Sequence, residues 1–129
     1  MGGMVRTAHE VEPRPVERAR GAQMRVLIGP EDGAPHFVTR VFTLAPGGRI
    51  PAHRHPTIEH EQYVLSGRMR VGIDDEVREV GPGQAIFIPA GAAHWYENPT
   101  DEPVEFLCVV PRTATYPTEW LEDGPGVSR

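Results

Sequence analysis

Residues 51–67 have the sequence PAHRHPTIEHEQYVLSG, which contains three of the six histidines of this 129-residue chain. His53 and His55 are two positions apart, so on an extended strand their side chains leave by the same face, with Cα atoms about 6.5–7 Å apart. Imidazoles at that separation can bind one metal ion, since each nitrogen binds at about 2.0–2.2 Å. A single histidine on a strand is usually a structural residue, but His60 follows five positions on, and His94 lies in a second conspicuous stretch, 83–98. The pattern therefore favours metal binding.

The composition limits the kind of protein. The length suits one domain with a single core. A formal net charge of −5 argues against a nucleic-acid-binding surface. All 13 basic residues are arginine, which excludes Schiff-base chemistry and a covalently held pyridoxal cofactor.

The sequence also bears on the cellular compartment. The uncharged run at 85–93 is too short and too rich in Gly and Pro to span a bilayer, and the first residues lack the apolar core of a signal peptide. Cys108 is the only cysteine, so no internal disulfide can form, and its apolar neighbours predict a buried, inert thiol. We expect a cytoplasmic protein with no membrane or nucleic-acid partner.

Short apolar stretches alternate with Gly/Pro turns every eight to twelve residues, and no segment has a helical period, which is typical of an all-β sandwich or barrel. One strand is predicted at 37–44, ended by Pro46-Gly47-Gly48, and a separate short strand at 53–55. Three parts are expected. Residues 1–22 form an N-terminal arm that is mobile or packed on a partner, and 23–111 form the barrel. Residues 112–129 form a tail in which Tyr116 and Trp120 pack on the barrel or on a partner chain, and the last six residues are loose.

Two spaced motifs resemble those of the cupin superfamily. The first has the form G-x5-H-x-H-x3,4-E-x6-G and is met here with histidine in place of the glutamate; the second, G-x5-P-x-G-x2-H-x3-N, is met at every fixed position. The matching residues are Gly47, His53, His55, His60 and Gly67 for the first motif, and Gly83, Pro89, Gly91, His94 and Asn98 for the second. The resemblance implies a double-stranded β-helix, or jelly-roll barrel, with a metal near one mouth and assembly as a homodimer.

The resemblance also implies a ligand set of four imidazoles, from His53, His55, His60 and His94. Glu59 would satisfy a looser spacing of the first motif, but it leaves the following strand one residue too long before Gly67, so His60 is favoured. Four neutral imidazoles leave the full +2 charge of the ion uncompensated, which should attract a small anionic chelating molecule. Mn²⁺ or Fe²⁺ is expected first, with Zn²⁺ and Ni²⁺ as alternatives, because imidazole binds all four.

Several other polar residues are candidates near this site. Gln62 is two positions after His60 and Tyr96 two after His94, so both are expected on the inward face as candidate catalytic residues. A structural hydrogen bond for Gln62 and a core position for Tyr96 are the alternatives. Arg40 and Arg49 could pair with an anionic substrate, although strand parity does not give their direction.

Three functions from different classes fit these residues. The first, which we favour, is a metal-dependent dioxygenase that acts on a small anionic chelating substrate at the Mn or Fe site. The second is a non-redox isomerase, lyase or decarboxylase in which the ion acts as a Lewis acid on an enolate. The third is a ligand-binding or sensing protein without turnover. Oxygen uptake with a diketone or enol would separate the first function from the second.

Overall fold

Alternation of buried and exposed side chains explains the strands of this protein. In the strand Val104–Pro111 every second residue is buried, and Val104, Phe106 and Cys108 are fully enclosed. Such a period of two places one face of each strand on a core and leaves the other at the surface. The chain accordingly forms strands with short connections and no α-helix among its described residues.

The computed structural model describes residues 2–122. Ten strands and two single-turn 3₁₀ helices, Ala8–Glu10 and Pro30–Asp32, make up the regular structure of this part of the chain. The strands are β1 (Arg14–Pro15), β2 (Arg20–Ile28), β3 (Phe37–Arg54), β4 (His60–Ser66), β5 (Met69–Ile73), β6 (Glu76–Val80), β7 (Ala85–Ile88), β8 (His94–Glu97), β9 (Val104–Pro111) and β10 (Glu119–Trp120). None of the described helices is long and apolar enough to cross a membrane.

The strands form one curled sheet in the order β6-β5-β8-β3-β9-β4-β7, with β2 and β10 also paired to β3 and β1 paired to β2. Neighbouring strands pair antiparallel throughout the described chain. The predicted all-β jelly-roll class is confirmed. Phe106 lies at the centre of the core, where its ring stacks on Phe42 at 5.2 Å and on Tyr96 at 5.1 Å between centroids.

Strand β3 runs without a break from Phe37 to Arg54, so the predicted division into two strands around 46–48 is wrong. The Gly47 amide donates to the Asn98 carbonyl, and the Asn98 amide donates to the Gly48 carbonyl, both at 2.9 Å. These two bonds continue the ladder through a stretch that resembles a turn in composition. Gly47 has a φ of +77°, which glycine adopts at little cost. The strand therefore bends at Gly47: its first half pairs with β9, and its second half, which carries His53, pairs with β8.

Both terminal segments lie on the chain's own barrel. In the arm, β1 pairs with β2, Arg6 forms an ion pair with Asp32 at 2.9 Å, and Arg25 donates to the Val11 carbonyl. These contacts lie within one chain, and packing of the arm on a partner stays a prediction; β2 itself begins at Arg20. In the tail, β10 pairs with the end of β3. The end predicted to be loose lies outside the described residues.

Candidate metal centre

Four histidines from three strand ends meet inside one mouth of the barrel. His53 lies near the end of β3 and His55 just after it, while His60 and His94 are the first residues of β4 and β8. His53 and His94 face each other as Cα partners across β3 and β8. The ring centroids of His53 and His94 are 4.2 Å apart, those of His55 and His60 are 4.8 Å apart, and those of His60 and His94 are 5.4 Å apart.

Three of these side chains are arranged closely enough to share one ion. His53, His55 and His94 each offer a ring nitrogen, and the three nitrogens lie within 4.8 Å of one another. His60 is not part of this tightest group, but its ring lies beside His55 and His94 and is 5% exposed. Glu59 is exposed, so of the two residues considered for this motif position only His60 has its side chain in the interior.

Backbone carbonyls orient three of the rings. The Nδ1 atoms of His53, His94 and His55 lie 2.7, 3.0 and 3.2 Å from the carbonyl oxygens of Pro51, Ala92 and Pro117 respectively. A carbonyl only accepts, so each of these Nδ1 atoms carries the hydrogen and each Nε2 keeps a free lone pair. Histidines that bind a metal through one ring nitrogen usually donate the N–H of the other nitrogen to such an acceptor.

His60 differs from the other three. Its Nδ1 is buried and has no hydrogen-bond partner among the described residues. A buried polar atom without a partner is costly, so this ring favours binding something the protein chain does not supply. Three free Nε2 lone pairs together with this unpartnered imidazole fit a divalent ion that prefers nitrogen ligands.

Burial keeps the four imidazoles neutral. Desolvation is the largest cause that lowers the pKa of all four. Together with repulsion between the neighbouring histidines, once protonated, it lowers the pKa to about 4 for His55 and about 3 for His94, and it lowers that of His60 furthest. Neutral imidazole is the form that binds metal, so near pH 7 little proton release has to accompany binding.

The lowered pKa values predict acid sensitivity of the metal-free protein. An unfolded histidine titrates near pH 6.5 and these folded ones titrate lower, so below pH 6.5 the unfolded chain binds more protons. We expect the stability of chelator-treated protein to fall between pH 6.5 and 5.5, by up to about 1.4 kcal/mol per histidine for each pH unit. Thermal unfolding across this window measures it, and His60→Gln should flatten the curve. A melting temperature that stays constant from pH 6.5 to 5.5 would contradict this account.

Gln62 and Tyr96 form the inner wall of the site. Both side chains are buried, and the Tyr96 hydroxyl lies 2.6 Å from Nε2 and 3.0 Å from Oε1 of Gln62. Burial raises the pKa of Tyr96 well above its ordinary value, so the hydroxyl keeps its proton. The inward direction predicted for both residues is therefore observed. Their catalytic assignment stays a prediction.

Next to the histidines is a cavity of about 200 Å³. Residues of the arm and of the tail lie at its mouth. Trp120 of the tail is a Cα partner of His53, with ring centroids 5.0 Å apart, and the Arg18 guanidinium of the arm lies 5.3 Å over the Trp120 ring. The Thr118 hydroxyl lies 3.1 Å from His55 Nδ1. Of the two tail aromatics expected to pack on the barrel or on a partner, Trp120 is thus found beside the histidines of the barrel.

The two arginines considered from sequence have different surroundings. Arg49 is bound by Glu97 at 2.8 Å and by Glu122 at 2.7 Å, in a network away from the histidines. Arg40 instead lines the cavity, and its Nη2 lies 3.1 Å from Sγ of the fully buried Cys108. The burial predicted for Cys108 is observed.

Comparison with known proteins places this arrangement in context. The family described as Cupin domain matches residues 40–110. The polyketide synthase CurC of Streptomyces cyaneus is 35% identical over 72% of this chain and 59% of its own length. The protein SchB of Streptomyces halstedii is 35% identical over 67% of this chain and 64% of its own. The chain thus spans about six tenths of these curated relatives.

A solved structure extends the likeness over nearly the whole chain. The 1.2 Å structure of the polyketide cyclase RemF from Streptomyces resistomycificus superposes with a TM-score of 0.85 at 35% identity. The match covers 97% of this chain and 89% of that one. It therefore includes the arm and part of the tail as well as the barrel.

Proposed function

The chain belongs to the cupin family, and from this we propose that it is a metal-dependent enzyme that cyclises a small poly-β-ketone. The observation that carries the proposal is the set of inward histidines, three of which have Nε2 free beside a cavity of about 200 Å³. The relatives named for polyketide cyclisation and synthesis support the substrate class. His53, His55, His60 and His94 would hold the ion.

The donor set suits a non-redox reaction. A divalent ion held by four neutral imidazoles would supply Lewis acidity to a chelating diketone and favour its enolate. The chain's own contribution is a cavity beside the histidines in which the reacting carbons can be held close together. Tyr96 adds a hydroxyl that stays protonated. It donates to Gln62 Oε1 in the structure, and it would turn this hydrogen to a carbonyl oxygen as negative charge develops there. Gln62 holds that hydroxyl in place through its amide.

The simplest test uses heptane-2,4,6-trione. Ring closure joins its C1 methyl carbon to the C6 carbonyl carbon and releases one water, which yields 5-methylresorcinol. We expect protein loaded with Mn²⁺ or Zn²⁺ to accelerate this conversion under nitrogen, and chelator-treated protein not to. If the metal-loaded protein binds the trione and returns it unchanged, the proposal fails and a binding function without turnover is favoured.

Removal of the Tyr96 hydroxyl should slow turnover without loss of metal. For Tyr96→Phe we expect a decrease of about tenfold to a hundredfold in kcat, because one donor to a developing oxyanion is lost. Metal content measured by elemental analysis should stay at the wild-type value. The matched control is Tyr63→Phe, which removes an exposed hydroxyl on the outer face of β4. An unchanged kcat would assign Tyr96 to the core alone.

A dioxygenase is the second candidate. The observation that favours it is the free space beside the rings, since about 200 Å³ can hold O₂ together with a small chelating molecule. An oxygen electrode distinguishes the two reactions, because cyclisation consumes no O₂. Uptake of one O₂ per trione by the Fe²⁺- or Mn²⁺-loaded protein would replace the first candidate with the second.

We also propose that the protein is a homodimer. Tyr63, Leu65 and Phe87 are each about half exposed on the outer face of β4 and β7. An apolar surface of this kind on a soluble domain commonly marks a protein interface. Light scattering coupled to gel filtration tests the proposal, since the dimer has twice the 14.3 kDa mass of the chain.

A further inference from the structure

Arg40 is an interior cation without an acidic partner. Its Cα pairs with that of Cys108 in the middle of the sheet, and its Nε is buried with no hydrogen-bond partner among the described residues. No described carboxylate oxygen lies within 4.0 Å of the guanidinium, whereas six other arginines have such contacts. Its contacts are a thiol at 3.1 Å and the face of Phe42 at 5.0 Å. Both are weak substitutes for an anion.

The side chains around Arg40 do not balance its charge. It shares the inner cavity with the four histidines, which are neutral, and with Glu17, which forms no ion pair with it. A partly buried cation without a partner is unfavourable, because its lost hydration is not replaced. A second cation beside it, at the histidines, would make an anionic occupant still more favourable.

Arg40 also stands between two cavities. It lines both the cavity of about 200 Å³ beside the histidines and a second cavity of about 700 Å³ between the arm and the barrel. Met24 is the other residue common to both. The outer cavity carries both charges: Arg6 is paired with Asp32 there, and Arg14, Glu10, Glu12 and Glu31 also line its wall. Apart from Arg40, its carboxylates outnumber its arginines, so the favourable place for an anion is the boundary beside Arg40.

We propose that Arg40 binds a carboxylate of the substrate, so that the protein selects diketones that carry a free acid several atoms from the chelating oxygens. This inference rests on the proposed function for the chelating end of the molecule only. The planar guanidinium suits a carboxylate because it can donate two parallel hydrogen bonds. The outer cavity then receives whatever part of the substrate extends beyond the acid.

The test compares acids with their amides. The probes are 4,6-dioxoheptanoate, 5,7-dioxooctanoate and 6,8-dioxononanoate, each beside its primary amide, with affinities measured by calorimetry on metal-loaded protein. At least one acid should bind about tenfold or more tightly than its amide to the wild type, as expected of hydrogen bonds between charged groups. Arg40→Gln should remove this preference and leave amide binding unchanged, and Arg40→Lys should retain part of it. Arg78→Gln, which removes an exposed charge on β6, is the matched control.

Two further measurements keep the outcomes distinct. Chelator-treated protein titrated with the same pairs by NMR reports the acid preference without the metal. If amide affinity is the same with and without metal, the chelation proposal fails, while the ratio of acid to amide still decides the role of Arg40. The NMR signal of the Arg40 Nε–H in the wild type should shift when acids bind and not when amides bind. This measurement tests the role of Arg40 even if the Arg40 variants fail to fold. The inference is overturned if the wild type binds acids no more tightly than amides. It is also overturned if Arg40→Gln prefers acids as strongly as the wild type does.

Discussion

His94→Ala is expected to lower the affinity for Mn²⁺ or Zn²⁺ by more than about a hundredfold. This is more than the loss that is typical when a residue hydrogen-bonded to a metal ligand is changed. His94 is 1% exposed and lies at the centre of the cluster, with ring centroids 4.2 Å from His53, 5.6 Å from His55 and 5.4 Å from His60. An alanine removes the imidazole and with it one of the ligand nitrogens. Turnover of the trione should disappear with the metal.

The measurement is metal content after purification, followed by competition against a chromophoric chelator. His36→Ala is the matched control because His36 is an exposed histidine outside the site. The same titration on His60→Ala and Glu59→Ala tests which of the two residues binds the metal. We expect only His60→Ala to weaken binding. Wild-type protein that retains no metal, or an affinity unaffected by His94→Ala, would refute the metal centre.

Asn98→Ala is expected to destabilise the fold by about 3 kcal/mol, because buried hydrogen-bonding groups lose their partners. The Asn98 side chain is completely buried. Its Nδ2 donates to the carbonyls of Leu44, Ala45 and Glu102 at 3.1, 3.2 and 2.7 Å, and its Oδ1 accepts from the amide and hydroxyl of Thr100. One amide therefore joins the bend of β3 to the turn before β9.

Urea unfolding monitored by circular dichroism measures this loss, and the melting temperature should fall on the order of 10 °C. Asn98→Asp should be at least as damaging, because it keeps the acceptor but places a carboxylate against three carbonyl oxygens. Thr100→Ala is the matched control, since it removes one hydroxyl and leaves the Nδ2 bonds intact; we expect a loss below about 1.5 kcal/mol. A loss below about 1 kcal/mol for Asn98→Ala would show that backbone pairing alone maintains the bend.

Strand parity explains why much of the site was predictable. The inward direction of His53, His60, Gln62 and Tyr96 follows from a period of two, which depends only on neighbours along the chain. The all-β class followed in the same way from short alternating segments and their turns. The exposure of Glu59 beside the buried His60 also agrees with this local rule.

The errors arose where distant segments meet. Pro46-Gly47-Gly48 has the composition of a turn, but pairing with Asn98 keeps β3 continuous through it. The pairing of β1 with β2 in the arm is a different case: it joins residues no more than ten positions apart, but residues 1–22 show no clear hydrophobic period that would predict it. Composition alone cannot identify such partners.

The amino-acid sequence by itself determined the β class, the two histidine motifs and the face on which their side chains lie. Only the tertiary structure decided that Arg49 has carboxylate partners while Arg40 has none, and that residues of the arm and of the tail lie beside the histidines. The reason is physical: the direction of a side chain on a strand is a local property of the backbone. Its neighbours depend instead on the register between strands and on how the sheet curls, which no short segment specifies.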